Sequence, residues 1–146
     1  MWREVTRADV LGVMSEPETA AYEAVAAGSG QDVLADIITA RVDFCRGYIA
    51  DNLANKLAAG VTLPERALLP ALHLMRKDLL TRLDMEVSED RRKDASEAIR
   101  FFERVADAKI QIEQPTGEID TSSPVQAITL LSNNERLATR KNLSGL

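Results

Sequence analysis

The chain has 146 residues and a net charge of −5, long enough for one domain with a real core and too acidic for a dedicated nucleic-acid binder, which needs clustered Lys and Arg to neutralise phosphates. That balance does not exclude a protein past which DNA slides without sticking. Hydrophobic residues make up 45% but aromatic ones only 4%, so the core must be built of Ala, Leu, Val and Ile, which favours helices over a sandwich.

Residues 1–5 are an extended lead-in with one large apolar anchor, Trp2. Acidic and polar side chains by position 9 leave no apolar stretch for a signal peptide. Thr6 followed by Asp9 has the spacing of a helix N-cap answered by an acid, with Val10, Leu11 and Met14 as a short apolar face. Ser15-Glu16-Pro17-Glu18 repeats the device with a proline in the first turn, giving a second short helix to about Ala27 that stops at Gly28-Ser29-Gly30.

Gln31 to Ala59 is the longest run readable as one amphipathic helix, and the one expected to organise the rest. It has no proline, Gly47 is its single interior glycine, and Gly30 and Gly60 stand at its ends. At 100° per residue, Ile37, Ile38, Phe44, Cys45, Tyr48, Ile49 and Leu53 share one half of the cylinder, while Asp32, Asp36 and Asp43 lie opposite. Cys45 is the only cysteine, so no internal disulfide is possible, and its apolar setting reads as a buried reduced thiol in a cytoplasmic protein.

Gly60 to Pro64 reads as a turn. The next long helix is expected from Pro70 to about Met85, because a proline deep inside would clash with the preceding turn. Its apolar face is Leu72, Met75, Leu79, Leu80 and Leu83, and Arg76, Lys77 and Arg82 give a basic flank that could face the acid stripe of the preceding helix, where exposed pairs are worth only about 0 to 1 kcal/mol each. Ser88-Glu89-Asp90 opens a third long helix with Ala95, Ala98, Ile99, Phe102, Val105 and Ala106 inside and Arg91, Arg92, Lys93 and Asp94 as a solvated start. Lys109-Ile110-Gln111-Ile112 alternates like a short strand or extended arm.

Three long and two short helices therefore make an all-α bundle over residues 1–112. From Glu113 the turn clusters Gln114-Pro115-Thr116-Gly117 and Thr121-Ser122-Ser123-Pro124 break the pattern, and residues 113–146 read as an extended linker and C-terminal docking arm. Val125, Ile128, Leu130 and Leu131 form one apolar patch on it. Leu137, Leu143 and Leu146 are spaced along its end with Arg136, Arg140 and Lys141. Fully extended at about 3.3 Å per residue, such an arm reaches on the order of 110 Å.

Little in the chain suggests catalysis. His73 is the only histidine and has no second His or Cys at metal-ligand spacing, so no metal site is expected. Gly28-Ser29-Gly30 has no strand before it and no lysine after it, which makes it a hinge and not a phosphate loop. Asp32, Asp36 and Asp43 lack a partner helix with Glu-x-x-His and read as a solvated face. Turned inward in a ring of copies, the same face would line a pore with negative charge and keep DNA mobile. With no nucleophile and base pair in the sequence, neither an enzyme nor a cofactor is expected. No run approaches the roughly 18 consecutive apolar residues of a membrane span.

The order of these pieces is distinctive. Trp2 stands near the start, Thr6 to Leu11 gives a short helix, and a long helix ends in a Gly60 and Pro64 turn before the leucine-rich helix after Pro70. Ala98-Ile99-Arg100-Phe101-Phe102-Glu103-Arg104-Val105-Ala106 leads into Lys109 to Ile112, and the chain closes on Asn133 to Leu146. This order resembles the Mu-like prophage family of small head-tail connector proteins over nearly the whole chain, most specifically at Arg136 to Leu146. It departs from the family pattern in Lys109, where a glycine is usual, and in an acidic, Ser- and Thr-rich linker.

The resemblance implies a helical adaptor, or head-completion protein, of the virion neck, assembled in the host cytoplasm. It would form a twelvefold ring of copies between the portal protein and a tail terminator or neck protein, passing DNA without reading its sequence. Arg136, Leu137, Arg140, Lys141, Leu143 and Leu146 would be its docking residues. The alternative is a small intracellular helical regulator or interaction module, with Thr6 to Met14 and Ser15 to Ala27 as a helix-turn-helix. Glu16, Glu18 and Glu23 against Arg7 alone make that pair a poor surface for a phosphate backbone.

Overall fold

In the computed structural model residues 1–121 are described, and they form five helices and one two-stranded ribbon. The capping signals written locally in the sequence act as expected. Thr6 opens α1 (Arg7–Gly12), with its N–H donating to Asp9 Oδ2 at 2.8 Å and its Oγ1 accepting from the Asp9 N–H at 3.3 Å. The Ser15 N–H donates to Glu18 Oε2 at 2.7 Å at the start of α2 (Glu16–Ser29), which takes in Gly28 and Ser29 and ends at Gly30 with φ 64°. Asp32 Oδ1 accepts from the Ala35 N–H at 3.2 Å and opens α3 (Val33–Asp51).

The long helix expected over Gln31 to Ala59 is shorter at both ends. It stops at Asp51, where Asn52 Nδ2 donates to the Val105 carbonyl and Asn55 Nδ2 donates back to the Ile49 carbonyl, so the chain leaves the helix axis well before Gly60. Leu53 falls beyond this end and is 74% exposed, and Phe44 sits on the exposed rim. The buried stripe is Leu34, Ile37, Val42, Cys45 and Ile49, with Arg46 among them.

The expected lead-in and the expected turn pair with each other. β1 (Trp2–Glu4) runs antiparallel to β2 (Thr62–Pro64) in the register Trp2↔Pro64, Arg3↔Leu63, Glu4↔Thr62. This pairing sets the start of α4 (Glu65–Arg82), which begins earlier than Pro70 and holds that proline in its second turn. Pro64, its N-cap, has no side-chain acceptor to offer. Distant groups do the work instead: the Glu65 N–H donates to the Met1 carbonyl at 3.1 Å and the Arg66 N–H to Glu113 Oε1 at 3.3 Å.

The fold is centred on α4 and not on α3. Ala67, Leu68, Ala71, Leu72, Leu74, Met75, Leu79 and Leu80 are all buried, and α4 packs against α1, α3, β2 and α5 (Glu89–Ala106). From α5 come Ala95, Ala98, Phe102 and Val105. Half of its expected solvated start is exposed, Arg92 and Lys93, while Arg91 is paired to Glu18 at 3.4 Å and Asp94 to Arg76 at 2.8 Å.

The basic flank of α4 makes no ion pair with the acids of α3 among the described residues, although Arg82 lines one cleft with Asp36. Arg76 is buried, donating to the Val13 carbonyl and to Asp94. The ion pair between α3 and α4 has the opposite polarity, Arg41 on α3 to Asp78 on α4. Both α4 and α5 end in a left-handed residue followed by a bond back across the last turn: Asp84 (φ 53°) with the Met85 N–H on the Leu80 carbonyl, and Ala108 (φ 60°) with the Lys109 N–H on the Arg104 carbonyl. Ile110, in a bend, and Ile112 then lie against the core, and residues 109–112 form no strand.

Candidate functional site

The feature that sequence reasoning missed lies where the chain returns after α5. Residues 113–120 fold back across the ribbon and the 52–61 loop. The Trp2 indole donates to the Glu113 carbonyl at 2.8 Å and the Lys56 N–H donates to Gln114 Oε1 at 3.0 Å. The Ala59 N–H then donates to the Glu118 carbonyl at 2.9 Å and the Asp120 N–H to the Leu57 carbonyl at 2.8 Å, with Ala58 opposite Ile119 in an antiparallel bridge.

Arg46 holds this arrangement from beneath. Its guanidinium donates to the Thr62 carbonyl at 2.9 Å, to the Ala58 carbonyl at 2.9 Å and to Asp120 Oδ2 at 3.2 Å. One buried cation thus joins α3, the 52–61 loop, β2 and the returning segment. A guanidinium suits this role because it presents several donors in a fixed fork. The signal available in the sequence was an arginine between Val42 and Ile49, on positions that a core helix reserves for apolar residues.

The residues singled out from the sequence fall in three groups. Asp32 is a helix cap whose carboxylate also pairs with Arg7, so it is not part of a free acid face. Asp36 and Asp43 are exposed on α3. Arg136, Leu137, Arg140, Lys141, Leu143 and Leu146, with the Val125 to Leu131 patch, lie outside the described residues.

The two groups with catalytic potential are quiet. Burial pushes the Cys45 thiol up to about 12 against the opposing pull of Arg41, so it stays protonated. Burial and then Arg76 push the His73 imidazole below its ordinary value, favouring the neutral ring. Among the described residues no three or more His, Cys, Asp or Glu side chains stand close enough to hold a metal, and no helix is long and apolar enough to cross a membrane.

Two of the clefts among the described residues are shaped by the elements above. One, of about 650 Å³, lies between Met1, Trp2, Ala58 and the returning residues 113–118. The other, of about 500 Å³, lies on the outer side of α5 around Phe101. Compared with protein-family models, curated proteins and solved structures, the chain gives no match. Its surface has to be interpreted from its own residues. In the first two helices Arg7 is engaged by Asp32, and Glu16 and Glu23 are exposed, an arrangement that repels phosphate.

Proposed function

We propose that the protein is a structural adaptor of a tailed-phage neck, forming a ring of copies between portal and tail and letting DNA pass. Its fastening element is the C-terminal segment, with Arg136, Leu137, Arg140, Lys141, Leu143 and Leu146 as the contacts on the portal or the next subunit. The resemblance of nearly the whole chain to small head-tail connectors supports this reading, as does an all-α unit that precedes this segment.

The observation that carries it is the clamp on Asp120. A fastening arm transmits force only from a fixed base, and Arg46 ties residues 118–120 to the helical unit just before that segment begins. The net charge of −5 fits a wall that does not grip the phosphate backbone. In this role the protein needs no cofactor and catalyses nothing.

Mass photometry of the full chain mixed with a portal protein from the same genome tests the proposal. A discrete complex larger than the portal ring alone is expected. Portal particles whose mass is unchanged at saturating chain concentration would refute the adaptor role. Capsid genes before this one and tail genes after it are the genomic counterpart of that result.

A further inference from the structure

We infer that the outward face of α3 binds the outward face of α5 on a second copy of the chain. This deepens the adaptor reading and rests on it only for the closing of successive contacts into a ring.

On α3, Asp36, Ala40, Asp43, Gly47 and Asp51 share the face opposite the core, and all are exposed. The three carboxylates have no hydrogen-bond or ion-pair partner among the described residues, and a flanking cation, Arg82 of α4, lines one cleft with Asp36. The ridge is also low: Ala40 is small, and a Cβ added at Gly47 would meet nothing within 4 Å. Another backbone can therefore come close. Asp32, which would extend the stripe, is already neutralised by Arg7.

On α5, Lys93, Arg100 and Arg104 are exposed along one stripe and likewise have no partner among the described residues. Against them stand Glu97 and Glu103, which leave this side of α5 with one net positive charge, and Asp107 at the same cleft is paired with Lys109. Arg100 and Arg104 edge the cleft of about 500 Å³, whose floor includes the half-buried Phe101 and Ile110. Unpaired guanidinium groups beside an apolar floor make a receptor for carboxylates carried on a surface with little bulk.

The two faces match in spacing as well as sign. Asp36 and Asp43 are seven residues apart on α3, and Lys93 and Arg100 are seven apart on α5, a rise of about 10.5 Å in each case. Two carboxylates can therefore meet two cations at once along a pair of aligned helices. Because the faces sit on different helices, each copy gives one and receives the other, which is a heterologous contact that repeats from subunit to subunit. This assigns Asp36 and Asp43 to the boundary between subunits and not to the channel wall.

Charge reversal with complementation tests the contact. Asp43 and Arg100 are both exposed, so Asp43→Lys and Arg100→Glu should leave the melting temperature unchanged. Followed by sedimentation velocity, each variant alone should self-associate at least roughly tenfold more weakly than the natural chain. An equimolar mixture of the two should recover association, because the lysine introduced on α3 of one variant then meets the glutamate introduced on α5 of the other. A natural chain that stays monomeric, single variants that associate normally, or a mixture that stays apart would each overturn the inference. Portal binding read in the same samples separates the two claims. If complementation succeeds but portal binding is absent, the interface stands and the adaptor falls. If the portal binds but complementation fails, the adaptor stands and the interface falls.

Discussion

Arg46 Nη2 and Asp120 Oδ2 lie 3.2 Å apart although 74 positions separate them in the chain. The pair converts a turn-rich stretch after α5 into part of the folded unit. The Arg46 side chain is 9% exposed and that of Asp120 30%, so the arginine bears most of the desolvation and the carboxylate most of the screening.

Replacing Asp120 by Ala leaves the buried guanidinium with two carbonyl acceptors and no opposing charge from this pair. Loss of one member of a fully buried pair costs about 3 to 5 kcal/mol. With Asp120 partly screened, a loss of roughly 1 to 3 kcal/mol is expected. In chemical denaturation, the double variant Arg46→Met with Asp120→Ala should be less destabilised than the sum of the two single variants, because no unpaired cation remains. Strict additivity would show that the pair does not act as a unit.

Ala108 ends α5 with φ 60°, a conformation that costs a side-chain-bearing residue roughly 1 to 2 kcal/mol. Ala108→Gly should therefore raise stability by roughly 0.5 to 1 kcal/mol, after allowing for the greater freedom of glycine in the unfolded chain. A drop in melting temperature would contradict the left-handed cap.

Stability should fall in acid through two capping carboxylates. The Arg3 guanidinium, with help from Thr6, holds the Asp9 carboxyl well below its ordinary 3.8. Burial works against ionisation of Glu18, but the Ser15 N–H and Arg91 outweigh it and lower that group from its ordinary 4.5. Depressed folded values mean that the contribution is fully present above these ordinary values and is lost as pH falls through the folded ones. Asp9→Asn and Glu18→Gln should each flatten the acid limb of a stability–pH curve, and an unchanged slope would show that these caps are not coupled to folding.

Cys45 is fully buried and its thiol is pushed up to about 12 by burial. A thiol reagent at pH 8 should label it only as fast as the protein opens, so labelling should accelerate with denaturant in step with unfolding. The raised value stabilises the fold below the ordinary 9.0 of the thiol, and that contribution disappears as pH climbs from there toward 12. Rapid labelling of the native protein would contradict the packing around α3.

The parts of the fold that could be read in advance are those whose cause is local. Thr6, Ser15 and Ser88 each start a helix because their partners lie three residues away. The inner face of α5 followed from its period alone. The start of α4 could not be read, because its first free N–H groups are satisfied by Met1 and Glu113, far away in sequence, and not by a residue at Pro64. Likewise α3 ends at Asp51 without glycine or proline, through Asn52 reaching Val105 and Asn55 reaching Ile49.

Charged side chains misled most. Arg46, Arg76 and Arg91 carry the polarity of surface residues, yet each is at least partly buried because a carbonyl or carboxylate from another element meets it. The identity of those acceptors depends on the tertiary fold, which spacing along one helix does not encode. The acids proposed for a channel wall were separable only in the structure, where Asp32 is paired and Asp36 and Asp43 have no partner among the described residues.

The central claim is that a folded helical unit is fastened to the portal by its C-terminal arm, and deletion of residues 133–146 tests it most directly. The shortened chain should keep the melting temperature of the full protein and fail to bind purified portal in the mass measurement that detects the full-length complex. A shortened chain that is equally stable and binds the portal as tightly as the full one would contradict the account.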